Sequence, residues 1–182
     1  MYYLHTKERL KKVSIRGRMA LGISCLEILL ESEGLIEKEE MKKLLSHLWE
    51  FTSSERLDLW EDQMMGYEPE AVFECCENED FDGLNHLSKE EMKTLFDIYK
   101  ESSKYVEGMI TAVIWIGRGN LYVGTGEYSH ATLGYTLDVL DIMAEKELSI
   151  PELSRFERSQ FSEWHGWGLA HDRSFFNKHN GF

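Results

Sequence analysis

Basic charge, proline and cysteine are all scarce in this 182-residue chain, and each shortage excludes something. Lysine and arginine number 20 against 33 aspartates and glutamates, a net charge of −13. Non-specific nucleic-acid binding and docking on anionic lipid both rest on Lys and Arg, so no nucleic-acid or membrane partner is expected. A basic protein is the natural electrostatic complement. Only Pro69 and Pro151 are present, which leaves room for long helices. Three cysteines, two of them adjacent (Cys75 and Cys76), do not build a disulfide framework. No apolar run approaches the roughly 20 residues of a membrane span. Behind its bases, MYYLHTKERLKKV has no apolar core of signal-peptide length, so cytoplasmic residence is the expectation. A hydrophobic share of 42% suits one core, and no repeat, low-complexity tract or linker divides the chain. A single helical domain over 1–182 is expected.

What is present begins with Tyr105–Gly117, YVEGMITAVIWIG, apolar from Met109 to Ile116 except at Thr111. A helix apolar all round is normally the buried one; a buried strand is the rival reading for so short a run. Helical periodicity in the preceding Ser88–Lys104, opened by the capping box Ser88-x-x-Glu91, favours helix. A break near Ser102–Ser103 or at Gly108 is compatible with that reading. Thr6–Glu31 reads as the first helix, its apolar stripe running from Leu10 to Leu30 and its bases, including Arg16 and Arg18, on the remaining face. Gly17 and Gly22 mark close packing or a break in it. Glu37–Thr52 and Glu55–Met65 follow, the latter ended by Gly66; Pro69 starts a short helix through Cys76. Asn78–Asn85 is a loop, His130–Lys146 a helix, and Pro151 starts a last helix through about Glu163. The expected fold is an all-α bundle of about six to seven helices. A glycine-rich irregular or extended segment, near 117–129, interrupts it.

Catalytic and metal-binding signatures are thin. Asn78-x-Asp80-x-Asp82-Gly83 imitates the start of a calcium loop, but the twelfth position is Lys89 where a bidentate Glu belongs. The glycines at 117, 119, 124 and 126 are not followed by Gly-Lys-Ser/Thr and do not form GxGxxG. His165, His171, Asp172 and His179 fit no metal motif of defined geometry, and a buried, inert thiol is the expected state of Cys25. No metal site, no cofactor and no catalytic residue is assigned. An enzymatic or small-molecule site would gather Arg118, His130, His165 and Trp167 beside the glycine-rich loop. A purely structural, oligomeric helical domain is the remaining alternative.

The strongest feature is acidic. From Glu68 to Asp82 there are seven acids and no base, interleaved with Phe73 and Phe81. Carboxylates steer a basic partner and rings fill its pockets. The expected partner-binding residues are Glu68, Glu70, Phe73, Glu74, Glu77, Glu79, Asp80, Phe81 and Asp82. With the Gly17-Arg18 pair in an amphipathic first helix and the helix-borne Trp49-Glu50 and Trp60-Glu61, this segment resembles the helical immunity proteins of bacterial polymorphic toxin systems. That resemblance implies a non-enzymatic protein that binds a cognate toxin and blocks its active site or its access to a target.

Overall fold

In the computed structural model, residues 2–81 and 86–177 are described, and every regular element among them is helical. The order is α1 (Tyr2–Lys11), α2 (Ile15–Ser32), α3 (Glu39–Ser53), α4 (Leu57–Met65), α5 (Pro69–Asn78), α6 (Lys89–Glu101), α7 (Lys104–Arg118), α8 (His130–Glu145) and α9 (Arg173–Asn177). Short 3₁₀ turns lie at Leu153–Arg155 and Trp164–Gly166. No strand occurs among the described residues, only an isolated antiparallel bridge between Val13 and Gln160. No described helix is long and apolar enough to cross a membrane.

The centre is α2, which packs against α3, α7 and α8. Every residue from Ile15 to Leu26 is buried, whichever way it points. Ser14 opens the helix, its hydroxyl accepting from the Gly17 amide at 3.0 Å. The backbones of α2 and α7 come close at Gly22, where an added Cβ would sit 3.0 Å from Ile116 and 3.2 Å from Val113. The apolar stretch at 109–116 is helical and lies within α7, buried except at Thr111 and Trp115. The lead-in is a separate helix: α6 stops at Glu101 and α7 restarts at Lys104. Ser88 and Glu91 form both bonds of the capping box that starts α6.

Four expectations are revised. The first helix is two, because Lys12–Ser14 turns a corner and pairs with the C-terminal segment instead of continuing i→i−4 bonds. Ser14 N–H donates to the Ser159 carbonyl at 2.9 Å, and Phe161 N–H to the Lys12 carbonyl at 2.7 Å. The same pairing unmakes the helix expected over Pro151–Glu163, which is a 3₁₀ turn followed by turns and the bridge. Leu153 and Phe156 still point into the core. Arg16 and Arg18, expected on a polar face, are buried to 1% and 0% exposure. Finally, α7 extends through Arg118, and 119–129 is a series of turns and bends without a strand.

The two arginines are accommodated because backbone carbonyls surround them. Arg16 donates to the carbonyls of Phe51 (2.5 Å) and Ser54 (2.9 Å), at the C-terminus of α3. Arg18 donates to Leu10 and Lys11 at the end of α1, to Tyr128 and Ser129 before α8, and to the Thr132 hydroxyl. A cation at a helix C-terminus meets orphan carbonyls and the negative end of the macrodipole. One end of the bundle is thus tied together by α2's first turn.

Candidate functional site

The acidic segment folds into α5 because Pro69 supplies a preset first turn and Glu79 closes the last, in the left-handed region at φ 52°. Its cap N–H reaches the Cys75 carbonyl. On a helix, positions 70, 74 and 77 fall on one face. Glu70, Glu74 and Glu77 accordingly line one wall of a groove of about 730 Å³, with Phe73 at its base. The opposite wall is the first half of α7: Lys104, Glu107, Gly108 and Thr111. Four carboxylates against one ammonium leave three negative charges uncompensated along the groove.

Among the described residues, none of Glu70, Glu74, Glu77 and Glu107 takes part in an ion pair or a side-chain hydrogen bond. The C-terminal end of α5 adds the negative pole of its dipole to the same side. The field is felt locally: burial first, then the carboxylates of Asp80 and Glu74, push the Cys75 thiol up. Phe73 stands edge-on to Phe96 at 5.5 Å and near Tyr99, so one side of its ring is committed to the core and the other borders the groove.

The remaining expected residues are placed differently. Glu68 is engaged within the chain. Its carboxylate accepts from Trp115 Nε1 at 2.8 Å and from Arg118 at 3.0 Å, and its side chain is only 15% exposed. Arg118 lies over the Trp115 ring at 4.6 Å and also pairs with the buried Glu61 at 3.1 Å, whose other oxygen accepts from the Tyr122 hydroxyl. This network clamps the start of α5 to the end of α7. Glu79 and Asp80 are exposed beyond the helix end, and Phe81 is partly covered, with the Lys89 ammonium 4.6 Å from its ring centre. Asp82 and Gly83, and with them the calcium-loop reading, lie outside the described residues.

Arg118, His130, His165 and Trp167 are not brought together. The cavity of about 390 Å³ beside the glycine-rich loop is lined by His130 but by none of the other three. His165 meets that loop only through its carbonyl, which accepts from the Thr125 hydroxyl at 2.7 Å. Trp167 packs towards Phe51. Among the described residues no three His, Cys, Asp or Glu side chains are placed to hold a metal; His179 lies outside them. Cys25 is fully buried, and burial pushes its thiol above the range of an ordinary cysteine.

Lys104, Glu107 and Gly108 were not foreseen in the site. Their signal was the polar spacing at 104, 107 and 111 on a helix otherwise dominated by its apolar half. The arrangement offers a negatively charged groove with an aromatic base and no base–nucleophile pair, which suits recognition of a cationic surface. No protein-family model, curated protein or solved structure matches the chain.

Proposed function

We propose that this chain is a non-enzymatic protein-binding module of the immunity type, which neutralises a cognate basic toxin through the groove between α5 and α7. The observation that carries this reading is the set of unpaired carboxylates on the two facing walls, Glu70, Glu74 and Glu77 opposite Glu107. Some acids elsewhere on the surface, such as Glu91 and Glu157, are engaged by Lys43 and Arg9, while others, such as Glu31, are also unpaired among the described residues; the groove differs in gathering four on facing walls. A row of solvated carboxylates speeds encounter with a positive partner, and Phe73 supplies an anchor that excludes water once contact is made. Residence in the cytoplasm, where such a toxin would act, belongs to the same proposal.

The test is capture from lysate of the source cells at low and moderate salt, with wild type beside a Glu70→Lys/Glu74→Lys/Glu77→Lys variant. Wild type should retain a basic protein in stoichiometric amount, and charge reversal should slow its association at least ten-fold, with a flatter salt dependence. An association rate and salt dependence unchanged by the three reversals would overturn the assignment.

A further inference from the structure

A second cavity, remote from the acidic groove, has the features of a ligand site. It holds about 910 Å³ between α2, α3, the turn after α8 and α9, a volume at the upper end of those that enclose drug-sized ligands. Ser24 lines it from the buried face of α2. As a residue Ser24 is 7% exposed, and its hydroxyl, which meets solvent in the cavity, has no hydrogen-bond partner among the described residues. A hydroxyl in a helix usually bonds back to the preceding turn, as Thr94 and Thr136 do here. A hydroxyl that faces the cavity without a protein partner is free to donate to or accept from a ligand atom.

The charges around the cavity sort into pairs and two exceptions. Glu27 is held by Arg173 at 2.8 Å and by Trp49 Nε1 at 2.9 Å. Lys42 pairs with Glu37 at 3.1 Å. Two lining charges remain uncompensated. Glu31 has no ion pair or side-chain hydrogen bond among the described residues. Among the described residues Arg155 donates only to neutral groups, the Phe176 carbonyl at 2.9 Å and the Asn177 side chain at 3.0 Å. One carboxylate and one guanidinium thus line the same cavity on separate elements, with Leu45, Trp49 and Ile150 as apolar wall between the polar groups.

We infer that this cavity binds a small zwitterion with an apolar body, a short free peptide, its ammonium on Glu31 and its carboxylate on Arg155. The fork of an arginine suits a carboxylate. Ser24 then meets a polar atom of the ligand backbone, and the side chains lie against Leu45 and Trp49. A single amino acid would leave most of the volume empty. The site shares no residue with the α5–α7 groove and does not depend on the function proposed for it.

The probes are trileucine with free ends, N-acetyl-trileucine and N-acetyl-trileucine amide, each titrated into the full chain and followed by amide NMR. Free trileucine should bind with a dissociation constant of about 1 mM or tighter, shifting resonances of Ser24, Glu31 and the Trp49 indole. Blocking both ends should weaken binding about five-fold or more. Glu31→Gln, an exposed change that leaves the core untouched, should weaken free trileucine to the level of N-acetyl-trileucine and leave N-acetyl-trileucine itself unaffected. Ser24→Ala should weaken all three. Absence of shifts at these residues, or equal binding of free and doubly blocked peptide, overturns the inference.

Discussion

Replacing Arg18 with methionine tests the account of the buried arginines most directly. The side chain is 0% exposed and has no carboxylate partner among the described residues. Burial therefore acts unopposed and lowers its pKa to about 10. A displacement of that size costs the charged form roughly 3 kcal/mol. Against that stand four hydrogen bonds of 2.8–3.1 Å, to Leu10, Tyr128, Ser129 and Thr132. Bonds to a charged donor contribute about 1.5 kcal/mol or more each, so together they give about 6 kcal/mol. Methionine fills much of the volume but leaves the Tyr128 carbonyl without a donor, and the Leu10 and Ser129 carbonyls with only their backbone donors, Val13 and Leu133 N–H. The expected net loss is about 3 kcal/mol, in the range for removing one side of a buried charged contact.

Urea denaturation followed by circular dichroism reads this directly. With a slope near 2 kcal/mol per molar urea, the midpoint should fall by about 1.5 M. Arg18→Lys keeps the charge but not the fork, and should lie between the two. Arg16→Met should cost less, because Arg16 makes only two such bonds and its Nε–H is already without a partner. An Arg18→Met midpoint close to wild type would mean that desolvation cancels the bonds, and the carbonyl account would be wrong.

Gly117 is sealed against Trp60, whose ring a Cβ would overlap, so Gly117→Ala should cost about 1–3 kcal/mol in a thermal melt. Gly134 in α8 has nothing within 4 Å of an added Cβ, and Gly134→Ala should instead stabilise by about 0.5–1 kcal/mol. Glu91 is held down to about 2, first by Lys43 and then by the Ser88 amide. A lowered folded value means that its contribution is complete above the usual glutamate pKa of 4.5 and fades as pH falls towards 2. The side chain is 32% exposed, so the contribution is about 1 kcal/mol or less. The stability gap between wild type and Glu91→Gln should therefore close on acidification; a gap that persists at low pH contradicts the linkage. A thiol reagent should label the partly exposed Cys75 and Cys76 in the native protein and reach the buried Cys25 only on unfolding, as mass spectrometry would show.

Much of the fold was legible where the causes are local. Pro69, the Ser88–Glu91 box and the apolar spacing of Met41, Leu44, Leu45 and Leu48 each act within one turn, and each marks a helix that forms. Legibility fails where the partner is a distant backbone. Arg16 and Arg18 read as surface residues because the groups that satisfy them are carbonyls, which no letter in the sequence announces. The helix expected after Pro151 is lost for the same reason: residues 159–161 pair with residues 12–14. In the acidic segment, Glu68 is indistinguishable by composition from Glu70. What separates them is Trp115 and Arg118, 47 and 50 residues further on. The second wall of the groove was hidden by the apolar half of its own helix, which dominates any reading of 104–118.

Two sets of contacts divide the physical work. The arginines, the Ser14–Ser159 contact and the Val13–Gln160 bridge tie the end of α3, the segment before α8 and residues 159–160 to the start of α2. The acidic helix α5 packs on α6 and α7 and is fastened at its start by Glu68. Glu70, Glu74 and Glu77 make none of these contacts and are exposed. Reversing them should leave the unfolding midpoint within about 0.5 kcal/mol of wild type, as for other surface changes. Repulsion between ammoniums at 70, 74 and 77 replaces repulsion between carboxylates at the same spacing, so this contribution is nearly unchanged. The same triple variant can therefore separate recognition from folding: lost capture with an unchanged midpoint belongs to the groove. Reversing the buried anchor Glu68 should instead lower the midpoint, because it leaves Trp115 Nε1 without an acceptor and sets a second cation beside Arg118.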